Sequence, residues 1–121
     1  MPLIKRFEDI LAWLEARKLV GSIYRLTRAG DLAKDFGMRD QLQRAAVSAM
    51  SNIAEGFDCE SRKEFARFLA IARRSAVEVQ SLLYAARDIG YIDGPSFRDH
   101  FQQADKTRAL IGGLKKSLRF D

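Results

Sequence analysis

Apolar positions recur at intervals of three and four along most of the chain, the period of amphipathic helices rather than of strands. Trp13, Ala16, Val20, Ile23 and Thr27 form the first seam, widened by Leu11, Leu19 and Leu26. Asp9 is placed to cap this helix, which is predicted to run to about Thr27 or Arg28. Ala29-Gly30-Asp31 ends it. Residues 32–38 read as a connection with room for a helical turn, Phe36 and Met38 folding back over the bundle end. A second helix is predicted from Arg39 to Glu55, with Gly56 as its C-cap residue because glycine reaches the left-handed conformation without cost. Its apolar face is small: Leu42, Ala46, Ala49 and Ile53. Arg44, Ser48, Ser51 and Glu55 form a second, polar line, with Asn52 beside it. Alanine and serine on one helix admit close approach of another, from the same chain or from a second subunit.

Ser61-Arg62-Lys63-Glu64 has the form of a capping box. It opens a third helix predicted to reach Ile89, roughly 42 Å long at 1.5 Å per residue. Phe65, Phe68, Ala72, Ala76, Val79, Leu83 and Ala86 hold its seam, and Leu69, Ser75, Leu82 and Ile89 extend it to one side. Gly90 ends it. Asp93 or Ser96 caps the fourth helix, Pro95 being tolerated in a first turn. Phe97, Phe101, Ala104, Ile111, Leu114 and Leu118 line its core face, and Gly112-Gly113 is a point where it can bend. Four helices with short connections predict an all-α fold, an antiparallel up-and-down four-helix bundle, as a single domain over residues 1–121.

Composition narrows the function without naming one. The 121 residues are 47% hydrophobic and 31% charged, with two prolines and one cysteine. Cys59 alone forms no internal disulfide and no cysteine-rich zinc site. The opening MPLIKRFEDILAWLEARK has no continuous apolar run, and no segment is apolar enough to span a bilayer. The expectation is therefore a cytoplasmic protein without a membrane partner. His100, the only histidine, has no carboxylate in triad spacing, and no paired Glu-x-x-His motif occurs. Neither catalytic residues, nor a metal site, nor a cofactor is expected. Cys59 lies near Arg62 and a helix start, which favour thiolate, but no base accompanies it. Glu78 lies near the apolar seam; if buried, it needs a partner such as Arg44 or Asn52.

The formal net charge is +5, and arginines outnumber lysines two to one. Lys63, Arg67 and Arg74 share one side of the third helix, with Arg73 beside it; Arg108, Lys115 and Arg119 share one side of the fourth, with Lys116 next to them. Such stripes suit phosphate contact, which needs cation density more than a motif. They equally suit a solvated face paired with Asp and Glu. No Gly-rich phosphate loop or zinc finger points to a particular mode.

Longer blocks carry a resemblance. Phe7-Glu8-Asp9-Ile10, Trp13, Gln43 through Gly56 (QRAAVSAMSNIAEG), Lys63-Glu64-Phe65, Arg67-Phe68-Leu69, Ser75, Glu78 and Asp88 through Tyr91 resemble the proteins encoded in intervening sequences of bacterial 23S ribosomal RNA genes. That family is similar to the accessory variability determinant proteins of diversity-generating retroelements. The resemblance implies a four-helix bundle assembling as a ring-shaped homopentamer, without established enzymatic activity. It implies RNA or single-stranded DNA, and a reverse transcriptase or another nucleic-acid protein, as partners. It also implies that Arg44, Ser48, Asn52, Glu55 and Glu78 are structural or inter-subunit positions. Met50 replaces a usual proline, so a mid-helix kink is not expected. Arg74 replaces a usual glycine, and Gln43 the first arginine of a common pair. The competing reading is an adaptor with protein partners only.

Overall fold

The structure is a computed structural model that describes residues 4–118. It contains four α-helices: α1 (Leu11–Thr27), α2 (Phe36–Phe57), α3 (Arg62–Ile89) and α4 (Gly94–Ser117). Short 3-10 turns, Phe7–Asp9 and Gly30–Lys34, precede α1 and α2. Each helix packs on the next, and α4 returns to α1, so the four close an up-and-down bundle around a central core. No β-strand occurs among the described residues.

Two layers make the core. Leu19, Ile23, Leu42, Val79 and Leu83 meet in an upper one, and Ile10, Ile53, Leu69 and Ile111 in a lower one. Alanines fill much of the remaining interior, including Ala16, Ala46, Ala49, Ala72, Ala76 and Ala104, all fully buried. Small side chains let the axes approach closely while leucine and isoleucine fill the space between layers.

The helix ends follow local chemistry. Ser61 Oγ accepts the Glu64 amide at 3.1 Å, the expected cap of α3. The return half of the capping box is not made, because the Glu64 carboxylate accepts from Arg67 Nε and Nη2 instead. Gly90 closes α3 at φ 93°. Asp93, rather than Ser96, caps α4 by accepting the Ser96 amide at 2.8 Å. The helix continues through Gly112-Gly113.

Several boundaries differ from the sequence reading. Asp9 does not cap α1; it ends a 3-10 turn, and Ile10 occupies the cap position. Leu11 is consequently 69% exposed, and Ile89 lies in the last exposed turn of α3. The second helix starts three residues early, because Asp35 Oδ1 accepts the Met38 amide. Phe36 is exposed beneath the Arg39 guanidinium rather than folded over the bundle end, whereas Met38 does pack on the core. Gly56 does not end α2. It keeps a right-handed conformation, and a Cβ there would lie 2.6 Å from Phe68 Cβ and 2.9 Å from Phe65 Cδ1. Its role is to admit α3.

Asp35 also ties the α1–α2 connection to the α3–α4 turn at one end of the bundle, accepting Tyr91 Oη at 2.8 Å. The Met38 amide and the Tyr91 hydroxyl hold its carboxyl below the ordinary value of 3.8. A lowered carboxylate value means stability that is complete above the ordinary value and lost as pH falls through the lower folded one. Acidification is therefore expected to weaken this end of the bundle. Tyr91→Phe should narrow the difference in denaturant midpoint between neutral and strongly acidic pH.

Candidate nucleic-acid interface

The basic residues do not form two equivalent stripes. On α3, Lys63, Arg67 and Arg74 stand on the exposed outer side. Arg67 is engaged there: it pairs with Glu64 at 3.0 Å and lies over the Phe68 ring, its charged form favoured by Glu64. Arg73 leans toward α4, within 3.8 Å of where a Cβ on Gly112 would sit. Arg108 is half-buried and held by Asp105 through Nη2 at 2.9 Å and Nε at 3.2 Å. Buried Gln80 donates to the same Asp105 oxygen, and the Arg108 and Gln80 bonds together hold that carboxyl below its ordinary value. Arg108 is therefore engaged within α4 by the aspartate that Gln80 ties to α3, rather than part of an open stripe.

Lys115 and Lys116 are exposed in the last turn of α4. Antiparallel packing sets that turn beside the start of α3, and a cleft of about 400 Å³ between them is lined by Phe57, Cys59, Arg62, Phe65, Leu114 and Ser117. Lys63, Lys115 and Lys116 thus share one end of the bundle. They and Arg74 make no ion pair with a carboxylate among the described residues. Arg119 lies outside the described residues.

The polar line of α2 divides in the same way. Ser48 Oγ is 2.8 Å from Ser75 Oγ across the α2–α3 contact, and Asn52 Nδ2 donates to Ser48 Oγ at 3.0 Å and Ser48 O at 2.9 Å. Ser75 Oγ also reaches Ile71 O. These three side chains bond one another at a helix contact made of small residues. Arg44, Glu55 and Glu78 are exposed. Glu78 therefore needs no buried partner, and neither Arg44 nor Asn52 supplies one. Met50 sits within an uninterrupted helix and packs on the lower core layer.

Cys59 Sγ rests 3.5 Å from Glu55 O, and His100 Nδ1 bonds Ser96 O at 2.7 Å within its own helix. No group of three or more His, Cys, Asp and Glu side chains is arranged to hold a metal ion among the described residues. None of the described helices is long and apolar enough to cross a membrane. The sequence reading missed one buried charge, Glu15, which Lys106 of α4 meets at 3.3 Å. Their place in facing helices was readable only once α1 and α4 were known to be neighbours.

The fold and these sites define a small all-α four-helix-bundle protein with a basic exterior. The chain belongs to the 23S rRNA-intervening sequence protein family, whose profile matches residues 8–113. In three dimensions it is similar to the crystal structure of a protein of unknown function, of the S23 ribosomal protein family, from Bacteroides thetaiotaomicron. The TM-score is 0.80 at 22% identity, over 88% of this chain and 99% of that one. No curated protein matches the sequence.

Proposed function

We propose that this protein is a non-enzymatic, homo-oligomeric bundle that binds nucleic acid, or a nucleic-acid-associated protein, through its basic surface in the cytoplasm. The observation that carries the reading is the gathering of Lys63, Lys115 and Lys116 at one end of the bundle, with Arg74 along the outer side of α3, all without carboxylate partners among the described residues. Membership of a family described by 23S rRNA-intervening sequences supports RNA as the polyanion. Exposed Val77 and Tyr84, seven residues apart on one side of α3, with the Tyr84 ring packed on Phe97 and Phe101 of α4, support self-association, since contiguous apolar surface marks contact sites. A ring pentamer with a reverse transcriptase partner is the specific arrangement that the retroelement resemblance implies.

The test is RNA binding across a salt series, with light scattering on the same sample. Structured or single-stranded RNA should bind at low salt and be released as salt rises. Replacing Lys63, Lys115 and Lys116 by Gln should flatten the log–log salt slope by about 2, from roughly 0.7 per phosphate contact. Absence of binding at low salt, or recovery of a single protein partner after nuclease treatment, would replace this reading with an adaptor role.

A further inference from the structure

The largest uncompensated positive charge lies elsewhere, on α1. From Ala16 to Gly30 the chain carries Arg17, Lys18, Arg25 and Arg28 and not one carboxylate. All four side chains are exposed, and none joins an ion pair among the described residues. The α3 and α4 cations, by contrast, are interleaved with Glu64, Glu78, Asp99 and Asp105. Leu14, Arg17, Lys18, Gly21 and Arg25 follow the spacing of one helix face. They line an open cleft of about 490 Å³ closed on its α4 side by Gln103.

The cleft exists because position 21 has no side chain. The Arg25 guanidinium lies over that gap: a Cβ on Gly21 would be 3.3 Å from Nη1. Arg17 is oriented by its stacking at 5.8 Å from the Trp13 ring centre. Ser22 Oγ donates to Gln103 Oε1, which leaves the Gln103 amide N–H groups as donors. Glu15, the nearest acidic neighbour on α1, is turned inward and matched by Lys106. Every polar group facing the cleft is therefore a cation or a donor, the requirement for phosphate oxygens. The cations from Arg17 to Arg25 extend over roughly 12 Å of helix at 1.5 Å per residue, rather than converging on one point. That spread suits a succession of phosphates better than a single anion.

We infer that the α1 face around Gly21 is a track for the phosphodiester backbone of a single-stranded nucleic acid, with Arg17, Lys18 and Arg25 contacting phosphates and Gln103 donating from the wall. This rests on the nucleic-acid reading above and assigns its main contact to a surface outside the α3 and α4 cations.

The experiment is fluorescence anisotropy with a dye-labelled single-stranded oligouridylate. It compares the wild type, Arg17→Gln/Arg25→Gln, Gly21→Ala and Lys115→Gln/Lys116→Gln, each checked for folding by thermal melting. The α1 double variant should weaken binding at least tenfold and flatten the salt slope by about 1.4, two contacts at roughly 0.7 each. Gly21→Ala should raise Tm, because alanine is the better helix former, and yet weaken binding by displacing Arg25. A folded α1 double variant that binds within twofold of wild type overturns the track while leaving the α3 and α4 cations in place. Displacement of the oligomer by inorganic phosphate at millimolar concentration and matched ionic strength would mark a free-anion site and overturn it too. A wild type that binds no oligouridylate at low salt overturns the track; if it binds no structured RNA either, the nucleic-acid reading falls with it.

Discussion

Leu69→Ala is expected to lower the unfolding free energy by about 2–5 kcal/mol, toward the upper part of that range. Leu69 is fully buried in the lower core layer, where its neighbours include Ala12, Ala16 and Ala72 beside Ile53 and Ile111. Alanines have no rotamer with which to fill a gap, so most of the removed volume should remain as cavity. The transfer loss and the cavity cost then add instead of being relieved by repacking. Urea denaturation of the variant, with an unchanged slope, measures the effect. Leu11→Ala is the matched control, since Leu11 is 69% exposed and the same chemical deletion there should change stability by no more than about 0.5 kcal/mol. Equal losses at the two positions would mean that α1 is rotated relative to this bundle.

Gly56→Val is expected to cost about 1–3 kcal/mol through overpacking. The added Cβ would lie 2.6 Å from Phe68 Cβ, an atom fixed to the α3 backbone that cannot swing away. Relief therefore requires α2 and α3 to separate where Phe57 and Phe65 pack edge to face at 5.9 Å. Gly56→Ala should cost less, because alanine recovers about 1 kcal/mol of helix propensity against the same clash. Gly90→Ala provides the contrast: nothing crowds that position, and its penalty comes only from φ 93°. Thermal melts of the three variants separate steric from conformational glycine. If Gly56→Val melted with the wild type, the close α2–α3 contact would be wrong.

These two glycines show how far local pattern carries. Both stand near predicted helix ends, and local pattern marks both as terminators. For Gly90 the reading holds, because a left-handed residue after the last periodic position is a local event. Gly56 looks the same in sequence, yet it is needed by side chains nine and twelve residues later, which meet it only when α3 doubles back. Leu11 was misplaced for a related reason. Its spacing continues the α1 seam, but the 3-10 turn before α1 brings Ile10 into the core and leaves Leu11 outside.

The candidate sites follow the same division. Cations at i, i+4 and i+11 on α3 were legible as one helix side, and Lys63, Arg67 and Arg74 do stand together on it. Which cations are already spent was not legible. Arg108 is held by Asp105, which also accepts from Gln80 of α3, and Arg67 by the glutamate that completes the capping-box motif. The α1 cluster could have been found from sequence by noting the absence of any carboxylate between Glu15 and Asp31. Its cleft could not, because Gln103 comes from a helix more than seventy residues away.

The chain by itself determined four helices, most of their core faces and the net positive charge. Periodicity, caps and charge are properties of neighbouring residues, set by backbone geometry within a few turns. Tertiary structure alone decided that Gly56 admits α3, that Ser48, Asn52 and Ser75 satisfy one another, and that Glu15 meets Lys106. It also decided which arginines remain free for a partner. Each of those outcomes depends on how helices distant in sequence are rotated and spaced in the bundle, and close packing of the whole core sets that rotation.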